Sequence, residues 1–285
     1  MKKIRFLKNT KLKKNINVAN ILKKEKRSIN PLITIITPVK NDVLNIKKTM
    51  KSVLRQNYKN FEYIIVDGSS TDGTLEVIKN VIKNNKKKIK CISAKDINLW
   101  QAINRGIKLS SGDIIGIINS NDVYYKNALN IVKKYFNEFS IDFLFGAVKK
   151  KKIYHLFSPE KIFYRLNIYP SHSIGFFIKK KSQIKLGLYD EKLRLCADYD
   201  LFYRMIVKHK MFGMPTKKKE VLGKFNLYGL SSRIPFIINL YYEMLVRLKN
   251  GQNIFYLIIL SSLRLFHKLF FLVKQKILSN FILPK

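Results

Sequence analysis

The sequence predicts an α/β fold: an open, mostly parallel sheet with flanking helices, followed by a C-terminal helical segment. Three observations carry that prediction. Between residues 32 and 118, β-branched apolar runs alternate with stretches of helical spacing in the order strand, helix, strand, helix, strand, helix, strand, the pattern of a parallel α/β sheet. The first two of these runs are apolar on almost every residue, as a strand covered on both faces requires. The polar clusters TPVKND, DGSSTDG and NSND each follow a strand, at the edge where such sheets bind ligands.

The elements follow in order. Residues 32–37 (LITIIT) form the first strand, and Val43, Ile46, Met50, Val53 and Leu54 then recur at helical spacing. Residues 61–66 (FEYIIV) form a second buried strand, ahead of a helix with Leu75, Ile78 and Ile82 on one face. Residues 89–93 are a third strand, 99–109 a helix with Ala102, Ile103 and Ile107 inward, and 113–118 a fourth strand. Beyond Asn127 the alternation loosens. Strands are expected at 143–148 and 173–178, a helix from Tyr199 burying Leu201, Met205 and Ile206, and helices from Pro235 onward. The organisation is then a basic N-terminal arm (1–30), one α/β domain (31–235) and an amphipathic helical segment (236–285).

The chain has 285 residues, enough for one large domain or two small ones, and 47% of them are hydrophobic, which excludes wholesale disorder. Two cysteines, Cys91 and Cys196, exclude a disulfide framework and a four-cysteine zinc site. Lys and Arg number 56 against 18 Asp and Glu, a formal charge of +38. Such an excess invites a nucleic-acid reading. It is mostly lysine, however, spread along the whole chain beside abundant Asn and Ile, the mix of an AT-rich genome. Zinc-finger spacing, RNP-like aromatic strands and a basic zipper are absent from the sequence. The expectation is no nucleic-acid partner and a surface attracted to anionic headgroups and diphosphates. With no charge-free apolar run near ~20 residues and no signal-peptide core, the expected location is cytoplasmic, peripheral on the inner face of the cell membrane.

Only 18 acids exist, and several stand where the sheet presents its ligands. Asp67 directly follows the second strand, where an acid commonly accepts hydrogen bonds from a nucleoside; Gly68 permits a tight turn after it. Asp72 reads as a cap of the next helix. Asp122 closes the loop Asn119, Ser120, Asn121, Asp122, which is either a divalent-ion loop sharing the ion with substrate phosphates or an ordinary Asx-turn.

Six ordered motifs then carry a resemblance: TPVKN (37–41), VDGSSTDGT (66–74), DINLWQAINRGI (96–107), SGDIIGIINSND (111–122), YDE (189–191) and ADYDLFYR (197–204). Together they resemble a family 2 glycosyltransferase of the bacterial surface-polysaccharide kind, and FNLYGLSS (225–232) resembles a segment that follows its catalytic region. The resemblance implies a GT-A fold, a Rossmann-like open sheet, and inverting transfer of a sugar from a nucleotide sugar to a lipid-linked or saccharide acceptor. It places Thr37, Pro38 and Asp67 at the nucleoside, with Asn41, Asn119, Ser120 and Asn121 also on the donor side. Asp96 matches an acid that helps bind the nucleotide, and Arg105 a basic position near the phosphates. Asp122 matches the last acid of the metal motif, holding Mg²⁺ or Mn²⁺. Asp198 matches the catalytic base and Asp200 the second acid of that segment. His172 falls where many relatives carry a polar residue near the acceptor. Two departures stand out: Asn121-Asp122 replaces paired acids, and Trp100-Gln101 replaces a frequent Tyr-Asp. Two rival readings follow, a non-catalytic relative and a basic nucleic-acid-binding protein. A third, a sugar nucleotidyltransferase, needs a glycine-rich loop that TPVKND lacks.

The chemistry asks for these residue types. A leaving diphosphate gains charge that cations must stabilise, and an acceptor hydroxyl must lose a proton, which a positioned carboxylate can take. Asp198 has a second reading as a helix N-cap. In the tail, Phe266, Leu269, Phe270, Val273 and Ile277 share one helix face, with Arg264, His267, Lys268, Lys274 and Lys276 mostly on the other. That pattern suits a helix lying in an anionic membrane interface rather than crossing it; packing on the domain is the alternative.

Overall fold

The structure, a computed structural model, describes residues 29–83, 85, 89–95, 98–155, 157, 173–226 and 235–282, with side chains through 274. The expected N-terminal arm, apart from Ile29 and Asn30, and the candidate residues Asp96 and His172 lie outside the described residues.

The first half alternates as its apolar pattern requires: β1 (Ile33–Val39), α1 (Ile46–Leu54), β2 (Phe61–Asp67), α2 (Thr74–Lys83), β3 (Ile89–Ser93), α3 (Leu99–Leu109) and β4 (Ile114–Ile117). After it come β5 (Val123–Tyr124), α4 (Ala128–Glu138), β6 (Phe143–Phe145), β7 (Ala147–Lys149), β8 (Ile153–Tyr154), β9 (Phe176–Lys179) and α5 (Lys180–Leu186). The chain ends in α6 (Ala197–Tyr203), β10 (Gly213–Pro215), β11 (Val221–Lys224), α7 (Phe236–Lys249) and α8 (Ile254–Ile282). Among the described residues, seven strands form one sheet in the order β10-β6-β9-β4-β1-β2-β3, and β5-β11-β7-β8 form a smaller one. The large sheet is parallel except for β9, which runs antiparallel to both β4 and β6.

Strand β1 is central and buried at every position. Its side chains alternate: Ile33 and Ile35 join a core with Ile46, Met50 and Val53 of α1 and Leu129 and Phe136 of α4, while Ile36 joins Trp100 and Ile103 of α3 and Phe202 of α6. Each such isoleucine is worth about 1.5–3 kcal/mol of burial. Gly106 lets α3 press onto β1, since a Cβ there would stand 2.5 Å from Ile36 Cγ2. Pro38 lies inside β1, where a missing N–H usually costs a ladder bond. Pairing with β4 ends at Ile36, and the Ile36 carbonyl already faces β4, so Pro38 points past the end of that ladder.

The second half departs from expectation in several places. The single strand expected over 143–148 is two strands in two sheets, β6 and β7, broken at Gly146. A Cβ there would collide with the Leu222 side chain, and the Gly146 N–H donates to the Gly175 carbonyl. The strand expected from 173 starts with a single 3₁₀ turn, Ser173–Gly175. The helix expected from Tyr199 begins at Ala197, with Cys196 in the capping position, and runs on through a π-helical turn, Arg204–Lys208. Asp198 is therefore inside the first turn and is not the N-cap.

Candidate active site

The loops after β1, β2 and β4 are tied to one another at the carboxyl edge of the sheet. Asp67, the last residue of β2, is fully buried; it accepts from Ser70 Oγ (2.5 Å) and Ser70 N (3.2 Å) and from Ser93 Oγ at the end of β3 (2.6 Å). Asn41 sits in the left-handed region (φ 51), which Asn tolerates better than most residues. There its N–H donates to Ser70 Oγ and its side-chain oxygen accepts from the Thr71 N–H, both at 2.9 Å. The left-handed residue of the DGSS turn is Ser69 (φ 57), so the tight turn expected of Gly68 falls one residue later. Asp72 accepts from the Thr74 N–H and hydroxyl at the start of α2, and also from the Val43 N–H, so its capping role extends to the first loop.

The third loop joins through Asp42, whose carboxylate accepts from Ser120 Oγ at 2.5 Å. Thr49 of α1 donates to the carbonyls of Ser120 (2.6 Å) and Asp122 (2.7 Å). Asp122 is 1% exposed and accepts from the Asn226 N–H at 3.1 Å. Burial pushes its carboxyl up to about 7, against the pull of the Asn226 and Asn119 backbone N–H groups. Asn119, Ser120 and Asn121 are half-buried around it, and Asn119 donates to Ser173 Oγ at 3.1 Å. Thr37 and Pro38 are buried, with the Thr37 hydroxyl bonded to Tyr63 Oη at 2.9 Å; Arg105 is half-buried on α3.

Sequence reasoning passed over Asp42, Thr49, Ser70 and Ser93. Ser93 had a legible signal, since it ends β3 at the same edge as the others. Asp42 also ends the polar TPVKND cluster at that edge, but its partner and those of Thr49 are not legible, because the contacts span 71 to 78 residues of sequence.

The second group of candidates lies on the α3 side of the sheet. Asn98 caps α3, accepting from the Trp100 and Gln101 N–H groups, and donates to the Glu191 carbonyl. Asn104 donates to the Tyr189 carbonyl and to Glu191 and accepts from the Tyr189 N–H, so α3 holds the YDE segment. Trp100, one of the departures from the family pattern, is a packing residue. Its ring stacks on Tyr189 (5.2 Å between centroids, 16° between planes) and its Nε1 donates to the Arg194 carbonyl.

Asp198 is half-buried, and its Oδ1 accepts from the Tyr199 N–H at 2.9 Å. Burial, then the charges of Asp198 and Glu243, push the neighbouring Cys196 thiol up to about 12, which makes it inert. Asp200, expected beside Asp198 as a catalytic acid, is fully buried. Its oxygens are held by Arg204 Nε (2.8 Å) and Asn250 Nδ2 (2.9 Å), with Lys249 Nζ at 3.6 Å. Arg204 also donates to the carbonyls of Leu186 and Leu188. These contacts anchor α6 through Asp200, and Asp198 is the less buried of the two carboxylates.

An open α/β sheet with linked polar loops at its carboxyl edge is a frame that binds ligands at that edge. The Glycosyl transferase family 2 profile matches residues 34–201, more than half of the chain, and the chain belongs to that family. It is 30% identical over 202 residues to the protein of Escherichia coli named as colanic acid biosynthesis glycosyl transferase WcaA, covering 67% of this chain and 71% of WcaA. It is 34% identical to an uncharacterized glycosyltransferase of Rickettsia conorii over 145 residues, which are 51% of this chain but 23% of that protein. Against the Rickettsia typhi relative the match covers 61% of the relative's length. Among solved structures, the fold resembles the mannosyltransferase PcManGT of Pyrobaculum calidifontis, described in complex with GDP-Man and Mn²⁺. That likeness has a TM-score of 0.61 and 16% identity, over 82% of this chain and 68% of that one. It also resembles S. aureus TarS 1-349 in complex with UDP-GlcNAc (TM-score 0.60, 16% identity, 78% and 68% covered). The fold is thus GT-A, a Rossmann-like sheet with a C-terminal helical segment.

Proposed function

We propose that the chain is an inverting glycosyltransferase that moves a sugar from a nucleotide sugar to a lipid-linked or saccharide acceptor in cell-surface polysaccharide synthesis. The observation that carries the reading is the wiring of the loops after β1, β2 and β4 into one rigid mouth, with Asp67 and Asp122 at its base. Membership of family 2 and the likeness to WcaA support it. Preorganised loops of this kind bind a diphosphate without having to order themselves at the moment of binding.

Asp67, Thr37 and Pro38 are assigned to the nucleoside, Asp96 to the nucleotide, Arg105 to the phosphates, and Asn41, Asn119, Ser120 and Asn121 to donor binding. The donor set around Asp122 is hard oxygen with a single carboxylate, which fits Mg²⁺ or Mn²⁺ shared with substrate phosphates, whereas an all-protein cage needs more acids. Such an ion would supply charge for the leaving diphosphate. Asp198 is assigned as the base that takes the acceptor's proton, and His172 to the acceptor side.

The tail supports membrane attachment. On α8 the apolar residues Leu263, Phe266, Leu269 and Phe270 are each about 60–70% exposed. Packing on the domain does not cover them. Arg264 pairs with Glu243 of α7, and Arg264 and Lys268 lie over the Phe236 ring. The 21 residues Ile254–Lys274 are by length and composition apolar enough to cross a membrane, although Arg264, Lys268 and Lys274 interrupt them and no charge-free run is present. We assign this surface to an anionic membrane face on the cytoplasmic side.

Calorimetry with UDP and GDP in the presence of Mn²⁺ tests the site. The unmodified chain should bind one of them, Asp67→Ala should weaken that binding, and Asp122→Ala should abolish its dependence on the metal. Equal affinity in all three chains would refute the assignment.

A further inference from the structure

Arg247 of α7 is among the largest fully buried side chains of the molecule. Its Nε donates to Tyr199 Oη at 2.7 Å and its Nη1 to Gln252 Oε1 at 2.8 Å. The guanidinium lies over two rings of α6, 5.9 Å from the Tyr199 centroid and 5.5 Å from that of Tyr203. The charged groups that face it include Glu243 on its own helix, itself paired with Arg264 of α8.

A buried cation is costly, and a well-packed apolar residue at such a place is often as stable or more so. What a guanidinium adds is direction: a planar fork fixed to two partners at once. Here the fork joins the last turn of α7 to the residue that follows Asp198 and to the turn that leads into α8. The same turn of α7 reaches α6 a second time, through Asn250 to Asp200, and the YDE segment through Lys249 to Asp190. On the far side Arg204 ties Asp200 to the carbonyls of Leu186 and Leu188. Helix α6 is thus gripped from both sides, and Asp198 stands in its first turn.

We infer that Arg247 is the positioning residue for Asp198: through Tyr199 it fixes where the base stands, so that the C-terminal helices are part of the catalytic apparatus as well as an attachment. This rests on the assignment of Asp198 as the base. Misplacing a catalytic group by about 1 Å can cost 10²-fold in rate, whereas the nucleotide loops are held at the strand ends by bonds of their own.

The test compares the unmodified chain, Arg247→Met, Tyr199→Phe, Asp198→Asn and the Arg247→Met/Asp198→Asn double variant. Nucleoside diphosphate release is followed from a panel of UDP- and GDP-sugars with Mn²⁺ and a bacterial lipid extract as acceptor, and nucleotide affinity by calorimetry. Arg247→Met should lower kcat about 10- to 100-fold with nucleotide affinity within two-fold, and Tyr199→Phe should lower it in the same direction. In the Asp198→Asn background, Arg247→Met should cause no further loss, because the residue acts through that carboxylate. Losses that multiply in the double variant, or an unchanged kcat in the single ones, overturn the proposal. Should Arg247→Met fail to fold, Tyr199→Phe, which removes only a hydroxyl, decides alone. Full activity of Asp198→Asn overturns the base assignment instead, and absence of turnover of every panel member by the unmodified chain overturns the transferase reading.

Discussion

Asp198 and Asp200 are two residues apart on one short helix, yet their surroundings divide their roles. Asp200 is fully buried and ion-paired with the half-buried Arg204, so Asp200→Ala removes a charged hydrogen bond and should cost about 1.5–3 kcal/mol, read as a lowered denaturation midpoint. Asp198 is half-buried and bonded to the neighbouring backbone N–H, and Asp198→Asn should leave that midpoint nearly unchanged. The opposite pattern, a stable Asp200→Ala and an unstable Asp198→Asn, would reverse the assignment. Asp67 makes charge-assisted bonds to Ser70 and Ser93. Asp67→Ala should weaken nucleoside diphosphate binding by about ten-fold or more, since a bond to a charged group is worth about 1.5–3 kcal/mol. An unaltered titration curve would make Asp67 a turn residue only. The sequence alone suggested both aspartates by position; it could not show which of Asp198 and Asp200 is walled in, because Asn250 and Lys249 approach from some 50 residues away.

At the scale of elements, α3 and β3 lie where their apolar spacing puts them, residue for residue, and β1 and β2 run one or two residues past the expected end. Long, strongly patterned segments declare themselves locally. The strands of the second half are two to four residues each, too short for a period to register, and their pairing depends on distant partners such as Gly175 and Leu222. At the amino-terminal edge of the large sheet Glu62 is another tie invisible in sequence. Burial opposes its ionisation, but bonds from Thr34, Ser111 and Lys90 outweigh that and bring its carboxyl down to about 2. A carboxyl lowered in the folded state stabilises above its unfolded value near 4.3 and loses that contribution as pH falls toward 2. Urea midpoints of the unmodified chain and Glu62→Gln should therefore differ at pH 6 and converge near pH 2. A gap independent of pH would contradict this reading.

For the molecule as a whole, the charge of +38 and the exposed apolar face of α8 act together at a surface. Binding to vesicles containing anionic lipid should weaken with salt. Phe266→Glu with Leu269→Glu should release the chain from them without unfolding it, because both side chains are largely exposed. Retention of that variant on the vesicles would move the contact elsewhere. The central claim is that Asp198 takes the acceptor's proton at a site whose nucleotide loops are separately built. The direct measurement is transfer of labelled sugar from UDP- and GDP-sugars into a bacterial lipid extract by the unmodified chain and by Asp198→Asn, with nucleotide affinity measured on both. The account predicts label in the lipid fraction, a rate lower by roughly 10² to 10⁴ in the variant, and the same nucleotide affinity. Transfer by Asp198→Asn within a few-fold of the unmodified chain would contradict it.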